Sequence, residues 1–244
     1  LIGGFAGRNA TDAGNNVMVG YASGYYNTTG AANTFVGTQA GQGLDATKLT
    51  GDNHTCVGFK AGFLLQGAAT QNTIIGALAG DAATTPDTCT IIGYQACGDG
   101  ALTGNTNTVI GGNAGLSMVA ASSNVLVGNN TGDGLTSGTA NTAVGMHALG
   151  TDDTGSASTA IGYYSLFLQN SDAVETTYNT AVGAYAGYGM TTGTSNDAFG
   201  YGALDRQTTG VANVSLGSYS ATQLLTGGYN VVIGTSAMET ADGS

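Results

Sequence analysis

One glycine returns fourteen times in the same setting and limits what this chain can fold into more than any other feature: Gly3, Gly20, Gly37, Gly58, Gly76, Gly93, Gly111, Gly128, Gly145, Gly162, Gly183, Gly200, Gly217 and Gly234. Nine of the thirteen intervals are seventeen residues, two are eighteen and two are twenty-one. A period this regular means one short unit stacked on copies of itself, each unit touching only its neighbours. The expectation is a single all-β domain over residues 1–244, a repetitive β-solenoid of the β-roll or β-helix kind, with about 17 residues per coil and 14 repeats. At a strand spacing of about 4.8 Å, fourteen such coils make a rod of roughly 65 Å.

The unit is clearest in NTFVGTQAG (33–41), NTIIGALAG (72–80), NTAVGMHALG (141–150) and NTAVGAYAG (179–187). With the recurring glycine as position zero, position minus one is always large and apolar, from Ile2 and Val19 to Leu216 and Ile233. Short runs of Val, Ile and Thr bounded by Asn and Gly read as strands, and seventeen residues leave room for about two of them with their turns. Position minus four is Asn at Asn16, Asn33, Asn72, Asn107, Asn124, Asn141, Asn179, Asn196, Asn213 and Asn230, a column expected to hydrogen-bond along the stack as a structural ladder. His54, Cys89 and Ser158 replace it elsewhere. Position minus seven is a turn, glycine in eight repeats and Pro86 in another, and position plus three is small throughout, which predicts close backbone approach.

Successive strand residues point to opposite faces. If minus one faces the coil interior, minus two faces out, yet minus two is also apolar in nearly every repeat, from Met18 and Phe35 to Val232. A strand apolar on both faces is normally covered on both, so the outer stripe calls for a partner. The expected partner is the chain itself, as a parallel homotrimer. By the same parity the threonines at minus three, among them Thr34, Thr55, Thr73, Thr90 and Thr108, are expected inside, which argues against a flat ice-matching surface.

NTAVGMHALGTDDTG and NTAVGAYAGYGMTTG resemble the seventeen-residue NTAxGxxAL repeats of phage tail fibres and bacterial surface fibre proteins, and more distantly the head of trimeric autotransporter adhesins. The resemblance covers essentially the whole chain. It implies a trimeric, extracellular, cell-surface or virion-borne fibre; the sequence departs from it in having no chaperone domain after Ser244 and in two four-residue insertions, ending at Gly58 and Gly183.

The net charge of −11 argues against nucleic acid and anionic membranes as partners, and no apolar run is long enough to span a bilayer. Catalytic and metal constellations are weak. His54 and His147 are far apart in the repeat order, and Cys56, Cys89 and Cys97 occupy three different repeat positions, with Cys89 and Cys97 the one pair close enough in the coil for a disulfide. No cofactor, metal or enzymatic activity is expected. The alternative is a polysaccharide-degrading, tailspike-like enzyme, with Asp152 and Asp153, or Asp172 and Glu175, as its paired carboxylates.

Tyrosines gather at positions plus one and plus two of the later repeats: Tyr163, Tyr164, Tyr185, Tyr201 and Tyr219. Exposed aromatic rings suit contact with surface glycans, and rings on adjacent coils also stabilise one another. The expected function is thus a structural fibre or adhesin shaft. Because Leu1 to Gly3 lie inside a repeat, a further expectation is a longer fibre or a filament of subunits stacked end to end.

Overall fold

Three-residue strands recur along the chain, each followed by the recurring glycine and preceded by Asn, or by His54, Cys89 or Ser158 in its place. The computed structural model describes residues 1–171 and 176–238, in two compact units, 1–123 and 124–244. The first holds β1 (Val17–Val19), β2 (Thr34–Val36), β3 (Thr55–Val57), β4 (Thr73–Ile75), β5 (Thr90–Ile92) and β6 (Thr108–Ile110). The second holds β7 (Val125–Val127), β8 (Thr142–Val144), β9 (Thr159–Ile161), β10 (Thr180–Val182), β11 (Asp197–Phe199), β12 (Val214–Leu216) and β13 (Val231–Ile233). Within each unit every strand pairs in parallel with the next, repeat position against identical repeat position. Each unit is therefore a β-solenoid. The coil carries one such strand rather than two; its other inter-coil pairings are isolated bridges, such as Asn27 to Leu49 and Thr194 to Val211.

The recurring glycine is fixed by two constraints at once. At Gly37 φ is +134°, and a Cβ would lie 2.3 Å from the carbonyl oxygen of Gly58 in the next coil. No L-residue with a side chain satisfies both. Other turn positions tolerate side chains in the left-handed region: positions plus two and minus five are left-handed in coil after coil, as at Gln39, Tyr185, Asn53 and Ser195.

The interior inverts the sequence expectation. Minus two is buried, from Met18, Phe35, Cys56, Ile74, Ile91 and Val109 in the first unit to Leu126, Ala143, Ala160, Ala181 and Ala198 in the second. Minus one faces out, and Ile233, Leu216 and Ile161 are 65%, 49% and 39% exposed. The turns decide this parity. Asn at minus four must point inward to reach the backbone of the neighbouring turn, and minus two lies two residues on along the strand, on the same face. Small residues at plus three, such as Ala40, Ala79 and Ala186, complete the buried wall as expected.

Core volume is shared between strand and turn. Where minus two is Met18, Phe35, Cys56, Ile74, Val109 or Leu126, plus four is glycine: a Cβ at Gly41 would lie 2.4 Å from the Phe35 ring, and one at Gly132 would lie 3.0 Å from Leu126; the Ile91 coil departs from this with Cys97. In three of the four coils with alanine at minus two, those of β8, β9 and β11, plus four becomes Leu149, Leu166 and Leu204, all fully buried; in β10, where Ala181 is paired with Gly187, Leu166 of the preceding coil takes the space, 2.8 Å from where a Gly187 Cβ would lie. The coil keeps the same filling by moving it from strand to turn.

The first insertion leaves the stack without breaking it. The Tyr26 N–H donates to the Gln42 carbonyl and the Leu49 N–H donates back to the Tyr26 carbonyl, so one residue of the preceding coil holds both ends. Residues 45–48 between them are exposed.

Candidate functional site

The asparagine column works chiefly through the backbone. Asn33 Nδ2 donates to the Gly51 carbonyl at 3.1 Å, and Asn33 Oδ1 accepts from the His54 N–H at 2.7 Å. Asn72 repeats this against Pro86 and Cys89, Asn141 against Gly155 and Ser158, and Asn179 against Gly193 and Asn196. Each amide thus ties the turn and the strand of the following coil. Direct amide-to-amide bonds also join Asn196 to Asn179, Asn213 to Asn196 and Asn230 to Asn213.

The substitutes make the same two contacts with different chemistry. His54 Nε2 lies 2.8 Å from the Ala69 carbonyl while Nδ1 accepts from the Asn72 N–H at 3.4 Å, which fixes the neutral ring with its proton on Nε2. Burial lowers the His54 pKa, against opposing contributions from the Ala69 carbonyl, Asp87 and Asp52. The Cys89 thiol points to the Gly104 carbonyl and accepts from the Asn107 N–H. At Ser158 the side chain is too short, and Gln169 completes the network through Ser158, Thr177 and Asn179.

Of the carboxylates singled out from the sequence, Asp152 is held within these contacts. Asp152 is fully buried at position plus seven, where other coils place Leu65, Met118, Leu135 and Met190. It accepts from Gln169, the Gly155 N–H and Ser171, while burial raises its pKa above the ordinary carboxylate value. Asp153 is exposed, so the two carboxylates lie on opposite sides of the coil wall and do not form a pair. Asp172 and Glu175 lie outside the described residues. Cys56, Cys89 and Cys97 are free buried thiols, with Cys97 directed at the Met118 sulfur rather than at Cys89. Among the described residues no three His, Cys, Asp or Glu side chains come together as a metal site, and no helix is long and apolar enough to cross a membrane.

Two surface features remain. The first is the outward face of the strands. Of the two outward positions in each of the six strands of the first unit, five are threonine and seven are Val or Ile; the seven strands of the second present ten apolar residues, three threonines and Asp197. The threonines expected inside therefore lie outside, sharing the parity of minus one; Thr34, Thr55 and Thr73 are half-buried on the sheet surface.

The second is aromatic and belongs to the second unit, where the tyrosines singled out from the sequence do come together. Tyr163 packs on Tyr164 and Tyr185 with ring centroids 4.5 and 5.4 Å apart, Tyr185 on Tyr201 at 5.9 Å, and Tyr201 on Tyr219 at 5.0 Å. The rings of Tyr164 and Tyr185 are nearly parallel, at 2°. Sequence reasoning missed His147, Phe167 and Tyr188, which extend the column: His147 stacks on Tyr164 at 4.7 Å and Phe167 on Tyr188 at 5.7 Å. Phe167 and Tyr188 both stand at plus five, a recurrence visible in the repeat alignment. Tyr185, Tyr188, Tyr201 and Tyr219 enclose an open cleft of about 260 Å³ together with Gly202 and Asp205. Asp205 Oδ1 is itself shielded from solvent and has no side-chain partner, while the backbone N–H groups of Asp205 and Arg206 act on the carboxylate. Burial raises the Asp205 pKa, opposed by the nearby Arg206 charge. Compared with protein families, curated proteins and solved structures, the chain has no significant match.

Proposed function

We propose that this chain is a structural shaft module of an extracellular, cell-surface or virion-borne fibre, and that it covers its outward sheet face with further copies of itself, as a parallel homotrimer. The observation that carries the reading is the composition of that face. The chain has a net charge of −11, yet Asp197 is the only charged side chain among the outward strand positions. Charge is kept to the turns, and the face is a repeated array of β-branched side chains. Parallel strands are ordinarily covered on both faces, and an in-register array of identical positions is complementary to itself under rotation about an axis parallel to the stack. Native mass spectrometry and sedimentation should give a homotrimer. Ile92→Lys with Ile110→Lys should yield folded monomer with an unchanged circular dichroism spectrum, whereas a wild-type chain that stays monomeric at micromolar concentration would defeat the proposal.

A second reading rests on the outward threonines. Their column in the first unit, repeated at the strand spacing of about 4.8 Å beside a column of Val and Ile, makes a regular, uncharged array of hydroxyls and methyls suited to a crystalline lattice of water. Thermal hysteresis in dilute monomer separates this reading from self-association, because the same face cannot serve both.

A further inference from the structure

The aromatic column has a gap. At position plus two the rings of Tyr164, Tyr185 and Tyr219 follow one another along the coils, but the coil between the last two carries Gly202. A Cβ there would already lie 3.2 Å from the Tyr219 ring. The missing side chain opens the cleft, and the neighbouring rings wall it. Successive rings around it are steeply inclined: Tyr185 to Tyr188 at 59°, Tyr185 to Tyr201 at 70° and Tyr201 to Tyr219 at 71°. Rings set this way enclose a small volume, whereas stacking on a sugar asks for a flat, coplanar platform. The volume is below the roughly 300–1,000 Å³ of sites for drug-sized ligands.

We propose that this cleft binds a methylated ammonium group, with the tyrosine rings as an aromatic cage and the Asp205 carboxylate as the counter-charge. An ammonium carrying methyl groups is attracted by the negative faces of aromatic rings and is held best where several rings converge. The cleft is lined by four tyrosines and by Asp205, whose carboxylate is only part-buried and is held by the backbone N–H groups of Asp205 and Arg206. The backbone beside that carboxylate is fixed, since the Asp205 carbonyl accepts from the Gly189 N–H at 2.7 Å. The acidic surface of the chain draws cations in and repels anionic ligands. The inference is independent of how the strand face is covered, because it uses only turn residues of the second unit.

The test is a titration of the full chain followed by NMR of ¹³C-labelled tyrosine rings and the Gly202 amide, with choline as probe and 3,3-dimethyl-1-butanol, its neutral carbon isostere, as control. Choline should shift the Tyr201, Tyr219 and Gly202 signals and bind at least about tenfold more tightly than the isostere, a factor equivalent to about 1.4 kcal/mol and in the range of a desolvated cation–π contact. Asp205→Asn should remove most of that preference while leaving isostere binding unchanged. Tyr201→Leu, which keeps apolar bulk without the ring, should weaken choline binding more than isostere binding and stands in if the Asp205 variant fails to fold. Parallel titrations with phosphocholine and Nε-trimethyl-lysine identify the source: weaker binding of phosphocholine than of trimethyl-lysine points to a protein modification, and the reverse to a lipid or polymer headgroup. Equal affinity for choline and its isostere, tighter binding of methyl glucoside than of choline, or no shift at tens of millimolar choline would overturn the proposal.

Discussion

A single buried ring shows how narrowly each position in the asparagine column is specified. His54 stands in for Asn by giving Nε2–H to the Ala69 carbonyl and taking the Asn72 N–H on Nδ1, and it can do both only when neutral. Its burial lowers the folded-state pKa below the ordinary 6.5. Between those two values the unfolded chain binds a proton that the folded chain does not, so stability is complete above pH 6.5 and declines as pH falls toward the folded value. An asparagine side chain at this position would not titrate. The variant His54→Asn should therefore lose this acid-side decline, measured as the denaturant midpoint at pH 7.5 and pH 5.5. A variant with the same decline as the parent would show that the ring is not the group responsible. Nitrogen shifts of the imidazole should independently report the Nε2–H tautomer.

At the scale of the coil, strand and turn trade volume. The sequence NTIIGALAG pairs a large minus-two residue with glycine at plus four, while NTAVGMHAL pairs alanine with leucine. Leu149→Gly alone should open a cavity and cost about 2–5 kcal/mol, less the relief of a left-handed leucine whose φ is +54°. Ala143→Ile alone should overpack the same space, at about 1–3 kcal/mol. Combined, the two recreate the filling of the Ile74 coil and should recover most of both losses, with a coupling of about 1–3 kcal/mol in a double-mutant cycle. Additive losses would mean that the two side chains do not share a site. The same slot logic explains Asp152: it occupies a core position of the coil, and Gln169 in the next coil occupies the same position and satisfies it.

For the molecule as a whole, charge and assembly act against each other. Chains of net charge −11 repel when brought side by side, and the proposed contact face offers no ion pairs in return. Repulsion between exposed charges is screened over about 10 Å at 0.1 M salt and over about 30 Å at 0.01 M. Self-association should therefore strengthen with ionic strength. Sedimentation at 0.02 M and 0.5 M sodium chloride should show a larger fraction of oligomer at the higher salt. Dissociation by salt would instead indicate an interface held by ion pairs.

The period of the glycine, the strand at each Val or Ile before it, and the small buried residue at plus three could all be read from the chain, because each follows from steric rules acting within one repeat or between adjacent copies. A left-handed glycine abutting the next carbonyl leaves no substitute, so its recurrence dictated a stack. Which strand face lies inside was beyond the argument from hydrophobicity, since both faces are apolar. It was decided by the turns: the amide at minus four must reach the backbone of the neighbouring turn, and that requirement carries minus two inward and leaves Thr and Val outside. The sequence contained this signal in the parity shared by minus four and minus two, and in the exchange of Gly for Leu at plus four. The cleft at Gly202 is different in kind. Its walls come from three coils and its opening from one absent side chain, so only the stacking of the turns in three dimensions creates it.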